Sequence, residues 1–396
     1  MIIGIDASRA NIRERTGTEQ YSFQIIRHLT ARDRTNRFIL YVKEKPLDDL
    51  LNLGPHVSIR VLRWPPRFLW SQLRLSFEML VRRPDVLFVP AHTIPLFHPR
   101  NTVTTIHDLG FERNIDLYGR QTIGGRGLRG MLLNIVARIL TLGRYGGTEL
   151  DYHRWSARFA ARHARHLITV SEFSKREIIE RYHVETTRIS AIYHGFEPET
   201  YQRPSPSSID RTLFVHSLRP PYVYFIGRLE RKKNILALVR AFAAAHALMP
   251  DLSLVLIGKI GLGWEEAAAF IAQHGLEDSV RVLGWQPDDV VTPIIAGADA
   301  LVFLSEYEGF GLPVLESFAI GTPVIAATRG SIPEISGDAA LLVDPHDPGA
   351  VSRAICDLHT DTTLKHTLVA RGHERTKAFS WDIAAQKTHA ILIGRQ

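Results

Sequence analysis

A chain of 396 residues exceeds what a single hydrophobic core usually organises, which predicts two domains. Its 45% hydrophobic and 22% charged residues are the proportions of a globular protein in water, and no apolar run reaches the roughly 18 residues of a membrane span. The single cysteine, Cys356, excludes an intrachain disulfide, and the lack of a signal-peptide pattern before the strand-like residues 2–6 predicts a cytoplasmic location.

The first part of the chain alternates strand and helix patterns. Helical patterns begin at Gly17-Thr18 and at Trp70. Strand-like runs occupy residues 2–6, 38–42, 57–62 and 86–89. This alternation predicts an α/β fold with a doubly wound parallel sheet. The loop before Gly17 suits a phosphate-facing turn, although one glycine also occurs in ordinary turns.

A β-branched strand over residues 102–106 ends in His107-Asp108. The carboxyl end of a central strand is where open α/β sheets bind ligands. His107 is therefore a candidate site residue, with a purely structural histidine as the alternative.

The stretch from Leu117 to Thr148 has arginine as its only charged residue type, and residues 1–200 carry 30 basic against 20 acidic side chains. Residues 131–142 form an apolar helical pattern with one narrow polar stripe. This pattern predicts a helix lying on an anionic membrane surface, and a helix packed on the sheet is the alternative. We expect no nucleic-acid partner, because no zinc spacing, aromatic RNA-binding motif or basic helix accompanies the charge.

Residues 198–221 contain clustered Pro and Ser without sustained periodicity, which predicts an interdomain linker. Before it, Ser174 and Glu177 form a capping-box pattern for a helix over 175–182.

A strand over residues 222–226 is followed by the basic loop Gly227-Arg228-Leu229-Glu230-Arg231-Lys232-Lys233-Asn234. A basic loop between a strand and the N-terminus of a helix favours anion binding. Arg228 and Lys233 are the candidate ligand residues, with Lys232 as an adjacent alternative to Lys233.

A second strand–loop–helix unit runs from Asp299 to Gly321. Residues 299–304 form a buried strand pattern, Pro313 suits the first turn of a helix, and Gly321 suits its end. Glu308 lies in the loop and Glu316 in the helix, so the two carboxylates can bind different parts of one molecule. The backbone of Gly309, Phe310, Gly311 and Leu312 is predicted to bind a ligand, because two glycines allow close approach and a helix N-terminus offers N–H groups to anionic oxygens.

The string from Ser305 to Glu316 resembles the E-x7-E signature of the retaining glycosyltransferases of family 4, which have a GT-B fold. Gly-Arg-x4-Lys-Asn at 227–234 and Ile-His-Asp-Leu at 106–109 resemble further motifs of that family. The resemblance implies two Rossmann-like domains with an interdomain cleft. The expected boundaries are 1–200 for an acceptor-side domain, 201–375 for a nucleotide-sugar domain, and 376–396 for a helix that packs back on the first.

The resemblance also implies roles for single residues. Glu316 would hold the ribose hydroxyls, Glu308 a hydroxyl of the transferred sugar, and Arg228 with Lys233 the diphosphate. His107 would meet the donor sugar. The remaining donor-binding positions are Gly17 and Thr18 near the diphosphate, and Gly258, Lys259 and Leu283 near the nucleoside.

The resemblance further implies retaining transfer of a hexose to a glycan or lipid-linked acceptor. Overall likeness to the mannosyltransferases of the family favours mannose from GDP-mannose, with UDP-glucose or a UDP-N-acetylhexosamine as alternatives. No Asp-x-Asp pair occurs in the chain, so we expect neither a metal nor another cofactor. Three alternatives stay open. They are a sugar-nucleotide epimerase, a phosphorylase, which would need a lysine bound to pyridoxal phosphate, and a non-catalytic sugar-nucleotide or membrane-surface protein.

Overall fold

The computed structural model describes residues 1–64, 69–113, 135 and 148–395. The chain divides into two compact units, Met1–Gly195 with Ser380–Gln396, and Phe196–Phe379. Each unit is built on one parallel β-sheet with helices in the connections. The predicted α/β class with doubly wound sheets is confirmed.

The first sheet has the strand order β3-β2-β1-β4-β5-β6-β7, and every neighbouring pair is parallel. Because the order reverses between β1 and β4, a topological switch point lies between these strands. The strands are β1 (Ile2–Asp6), β2 (Arg37–Val42), β3 (Val57–Val61), β4 (Val86–Val89), β5 (Thr102–Thr105), β6 (His166–Thr169) and β7 (Ile189–Ala191).

The helices of the first unit follow the strand–helix alternation. A π-helical turn, Trp70–Leu75, leads into the third of them, where the sequence predicts one continuous helix. A 3₁₀ turn spans Thr186–Arg188. The α-helices are α1 (Gly17–Arg32), α2 (Asp48–Leu51), α3 (Ser76–Val81), α4 (Gly110–Arg113), α5 (Glu149–His163), α6 (Glu172–Tyr182) and α15 (Trp381–Leu392).

The cap of α6 differs from the predicted one. Ser171, and not Ser174, is the N-cap, and its hydroxyl accepts a hydrogen bond from the Ser174 backbone N–H. The helix therefore begins three residues earlier than the capping-box pattern indicates.

The C-terminal helix α15 packs against α1 within the first unit. Trp381, Ala385 and Leu392 share one apolar cluster with Tyr21 and Ile25 of α1. Two polar contacts join the same helices: His28 Nδ1 lies 2.9 Å from Asp382 Oδ1, and His389 Nε2 lies 2.7 Å from Asp33 Oδ2 at the end of α1.

The second sheet has the order β10-β9-β8-β11-β12-β13, again entirely parallel. Its order reverses between β8 and β11, so the two loops that follow these strands flank the switch point. The strands are β8 (Tyr222–Ile226), β9 (Ser253–Ile257), β10 (Val280–Gly284), β11 (Ala300–Phe303), β12 (Val324–Ala327) and β13 (Leu341–Val343).

The helices of the second unit include one that the sequence did not predict. The expected linker contains α7 (Pro206–Val215), because Ser205 caps the Ser208 N–H, Pro206 fits the first turn, and Leu213 is buried. Two 3₁₀ turns span Pro198–Thr200 and Arg231–Lys233. The other helices are α8 (Ile235–Leu248), α9 (Trp264–Gln273), α10 (Asp288–Gly297), α11 (Leu312–Ile320), α12 (Ile332–Ser336), α13 (Pro348–Thr360) and α14 (Thr362–Thr376).

Most of the predicted membrane-surface stretch, residues 117–148, lies outside the described residues. Ile135, which is described, is helical and 44% exposed. Among the described helices, none has the length and hydropathy to cross a membrane.

Candidate functional site

The loops after β8 and β11 meet at the switch point of the second sheet. They contain three of the motif residues predicted there, Arg228 and Lys233 after β8 and Glu308 after β11. The loop after β11 leads into α11, which carries the fourth, Glu316. The backbone N–H of Glu306 donates to the Lys232 carbonyl at 3.0 Å, which joins the two loops directly.

The loop after β8 owes its shape to close backbone packing. Gly258, which follows β9, lies so close to it that a Cβ atom there would be 1.9 Å from the Gly227 carbonyl oxygen. The φ angle of Gly258 is +139°, a conformation that also favours glycine. The Gly258 N–H donates to the Gly284 carbonyl at 2.7 Å, so glycines at the ends of three strands form one backbone surface.

Carboxylates hold the cations of this loop. Glu230 lies 3.7 Å from Arg228 Nε and 3.1 Å from Lys232 Nζ, and Arg231 pairs with Glu266. The Arg228 side chain is nonetheless 66% exposed, so its guanidinium can reach an anion without being uncovered first.

Lys233 pairs with Glu308 across the switch point. Its amine hydrogen-bonds Glu308 Oε1, and both side chains are mostly buried, at 16% and 15% exposure. The amine also lies 5.7 Å from the centre of the Phe303 ring, within cation–π range. A bound anion would thus meet a lysine that is already fixed in place by the carboxylate predicted to hold the sugar.

Ser331 holds the loop after β11 from the opposite side. Its hydroxyl lies 3.0 Å from the carbonyl oxygens of both Glu308 and Phe310. Gly330 lies against the same segment, since a Cβ there would be 2.9 Å from the Glu308 backbone nitrogen. Gly311 then caps α11 at φ +109°, and the helix N-terminus offers free N–H groups to an anion.

Glu316, on α11, sits in a different environment from Glu308. Tyr201 donates its hydroxyl hydrogen to Glu316 Oε1 at 3.2 Å. The pKa of Glu316 is raised to about 7, mainly by burial. The Tyr201 hydrogen bond lowers it, and the nearby Asp288 carboxylate adds a smaller increase. Glu316 is therefore partly protonated near neutral pH.

The other predicted donor residues of the second unit lie at the same carboxyl edge. Lys259 is exposed and follows Gly258. Leu283 is the next-to-last residue of β10, and its carbonyl accepts a hydrogen bond from the Gln286 amide at 2.8 Å. Among the described residues, no group of three or more His, Cys, Asp or Glu side chains is arranged to hold a metal ion.

His107 lies in the first unit, at the carboxyl end of β5. Its Nε2 carries the hydrogen and donates to the Pro90 carbonyl at 3.0 Å, and burial lowers the pKa of His107, so the ring is neutral at pH 7. Tyr21 contacts the ring edge-on at 4.7 Å between centroids, and His194 lies at 5.6 Å. The predicted residues Gly17 and Thr18 begin the same helix as Tyr21.

Sequence reasoning missed four residues that shape these sites: Tyr21, Tyr201, Glu230 and Ser331. Only Ser331 carries a local signal, because Gly-Ser-Ile-Pro after a strand is a helix-start pattern. Tyr21 and Tyr201 contact residues that are distant in sequence. Glu230 lies in the loop of Arg228 and Lys233, whose motif is the more evident one.

Two Rossmann-like units, one with a basic loop and a helix N-terminus at its switch point, are the architecture of the GT-B class. Residues 15–200 match the model described as glycosyltransferase family 4, and residues 210–375 match that described as glycosyl transferases group 1. The chain belongs to this family, as the resemblance predicts.

Similar proteins include two curated relatives. The chain is 33% identical over 233 residues to the O-antigen chain mannosyltransferase B of Escherichia coli, covering 57% of this chain and 59% of that protein. It is 32% identical over 231 residues to a D-inositol 3-phosphate glycosyltransferase of Salinispora arenicola, covering 54% and 52%. The matches thus span little more than half the length of these relatives.

A solved structure gives the fold of the whole chain. Anabaena HepE, in complex with UDP and glucose, superposes with a TM-score of 0.69 at 19% identity, covering 99% of both chains. At 19% identity the similarity concerns the fold alone, and it confirms the predicted GT-B fold.

Proposed function

We propose that this protein is a retaining glycosyltransferase that moves a hexose from a nucleotide-sugar to a glycan or lipid-linked acceptor. The observation that carries the proposal is the meeting of the Arg228–Lys233 loop, the Glu308 loop and the N-terminus of α11 at one switch point. This arrangement supplies cations and N–H groups for a diphosphate beside a carboxylate for a sugar hydroxyl.

The proposed chemistry uses these groups where charge develops. As the bond between the anomeric carbon and the diphosphate oxygen breaks, negative charge grows on the leaving phosphate. Lys233 and Arg228 stabilise that charge, and Lys233 can exchange its Glu308 partner for the phosphate. The acceptor oxygen then bonds to the same face of the sugar, and its proton passes to the leaving phosphate.

We propose that no metal is needed, because the cationic loop takes the place of a metal's charge. The first donor candidate is GDP-mannose, which the likeness to a mannosyltransferase supports. UDP-sugars come next, since HepE binds UDP. His107, Gly17 and Thr18 remain proposed contributors from the first unit.

The test is nucleotide release from a panel of GDP- and UDP-sugars, with and without acceptor glycans, before and after EDTA. We expect one donor to turn over, with the rate unchanged by chelation. Arg228→Ala and Lys233→Ala should each lower turnover by on the order of 10²–10³, because each removes a charge that acts on the leaving phosphate.

Arg353→Ala is the matched control, because Arg353 is an exposed arginine of α13 paired only at 3.9 Å with Asp347. Near-normal turnover in Arg228→Ala would contradict the assigned role. Loss of activity in EDTA that Mg²⁺ restores would instead contradict metal independence.

A further inference from the structure

Tyr201 lies between the two family matches, which end at residue 200 and begin at residue 210. Nevertheless it belongs to the second unit and contacts the predicted nucleotide site, since its hydroxyl donates to Glu316 Oε1 at 3.2 Å. A carboxylate with one oxygen occupied in this way has its other oxygen oriented for a ligand hydroxyl.

The position of the Tyr201 ring is itself fixed. It stacks on Phe196, with 5.0 Å between centroids and 16° between planes. The buried Phe196 donates its backbone N–H to the Phe379 carbonyl at 3.3 Å, and the Phe379 ring packs edge-on against Phe310 of the site loop at 5.6 Å. The segment carrying Tyr201 is thus tied to the loop that precedes α11.

We propose that Tyr201 is a positioning residue that orients the Glu316 carboxylate for the nucleoside of the donor. The proposal rests on the proposed function and on the role that the family resemblance implies for Glu316, which is to hold the ribose hydroxyls of the donor. The ligand that Glu316 would bind in this way is a nucleoside diphosphate.

Because ionisable groups surround Glu316, the proposal can be tested through the pH dependence of nucleotide binding. Burial and the Asp288 carboxylate raise the pKa of Glu316, whereas the Tyr201 hydrogen bond lowers it. Tyr201 stays protonated, because burial and the carboxylates of Glu316 and Asp288 raise its own pKa. Tyr224, the other tyrosine near Glu316, directs its hydroxyl to Ser317.

The sign of the pH effect follows from these groups. The ionised carboxylate accepts the ribose hydrogen bonds, so nucleotide affinity rises as pH increases through the pKa of Glu316, about 7. Removing the Tyr201 hydroxyl removes the contact that favours ionisation. The midpoint of the affinity profile should then move to higher pH.

The experiment is calorimetric titration of GDP and UDP from about pH 6 to about pH 9, with wild type and Tyr201→Phe. Near pH 7 we expect the variant to bind the preferred nucleotide about tenfold more weakly, the typical effect of one hydrogen bond to a charged group. Tyr222→Phe is the matched control, because Tyr222, in β8 of the same unit, donates its hydroxyl to the Ile294 carbonyl of α10 and not to Glu316.

Glu316→Gln provides a second variant with no carboxyl group to titrate. It should flatten the pH profile, and adding Tyr201→Phe to it should not restore one. An unchanged midpoint in Tyr201→Phe, or an equal shift in Tyr222→Phe, would overturn the positioning role while leaving the proposed function intact. If wild type binds neither GDP nor UDP at any pH, both proposals fail.

Discussion

Two glutamates at the switch point of the second sheet differ in the charge around them. Glu308 is paired with the Lys233 amine, whereas Glu316 shares its surroundings with a tyrosine hydroxyl and another carboxylate. The Lys233 amine holds the Glu308 carboxylate in place. The same carboxylate competes with a bound phosphate for Lys233. Because their partners differ, substitution of each glutamate by alanine should change ligand affinity in a different way.

Glu316→Ala should weaken free nucleotide and nucleotide-sugar alike, because the proposed contact is to the ribose that both contain. Glu308→Ala should weaken only the nucleotide-sugar, and it can strengthen free nucleotide because Lys233 loses its competing carboxylate. Loss of one hydrogen bond of this kind typically costs about 1.5–3 kcal/mol. Calorimetry with both ligands checks the prediction, and equal losses for both ligands in both variants would contradict it.

At the scale of elements, the glycines after the strands of the second sheet let loops approach one another. Gly258 is the tightest of these contacts, because its neighbour is the Gly227 carbonyl and not a side chain that can move. Gly275, near the end of α9, also has positive φ, but nothing lies within 4 Å of its Cβ position. Alanine at 258 would therefore meet both a clash and a φ of +139°, outside the left-handed helical region, whereas alanine at 275 would meet only the milder cost of a φ of +63°.

Gly258→Ala should lower the free energy of unfolding by ~2 kcal/mol more than Gly275→Ala, because only the former adds a clash to the strain of positive φ. It should also weaken nucleotide binding, since the displaced neighbour is the loop of Arg228 and Lys233. Urea denaturation and calorimetry measure the two effects. Equal destabilisation by both substitutions would mean that the loop after β8 moves away from the added Cβ atom with no loss of stability.

The strand–loop–helix units could be predicted from sequence because each has a local signal. Buried β-branched runs mark the strands, and Pro313 and Gly321 mark the two ends of α11. The helix α7 was missed because its Ser-Pro start looks like a linker. The π-helical turn at Trp70 was missed because no local pattern separates it from an α-helix.

The site itself was predictable only where its residues form motifs. The sequence pairs Arg228 with Lys233 and Glu308 with Glu316 by spacing, and the structure brings Lys233 against Glu308. No spacing rule connects Tyr201 to Glu316 or Ser331 to Phe310, because those contacts arise from how the second unit folds. The contacts by which Tyr201 and Ser331 orient the site therefore could not be predicted from motifs.

At the scale of the whole molecule, charge is distributed unevenly along the chain. Residues 201–396 carry 18 basic against 21 acidic side chains, so the excess of positive charge belongs to residues 1–200. Arg113, Arg158 and Arg181 have side chains more than half exposed and pair with the buried carboxylates of Glu112 and Glu177. Arg154 also lies 3.8 Å from Glu112, so four arginines share two carboxylates and this cluster on α4, α5 and α6 carries a net positive charge.

We propose that this basic region and the arginine-only stretch 117–148 hold the protein on anionic membranes, where a lipid-linked acceptor would be met. Each Lys or Arg near such a surface contributes roughly 1 kcal/mol, so the five arginines of the stretch can give reversible binding. Ile135, a described residue within this stretch, is helical and exposed, as insertion of its side chain would require.

Wild type should float with anionic liposomes and stay behind with neutral ones, and Ile135→Glu/Ile139→Glu should abolish flotation without lowering the melting temperature. The physical reason is that two carboxylates would have to enter the apolar boundary of the lipid beside a negative surface. Phe214→Glu/Val215→Glu is the matched control, because it makes the same change in charge at exposed apolar residues of the second unit. That control should float as wild type does. If the isoleucine variant unfolds, the stretch packs on its sheet, and if wild type ignores anionic liposomes, the acceptor is met in solution.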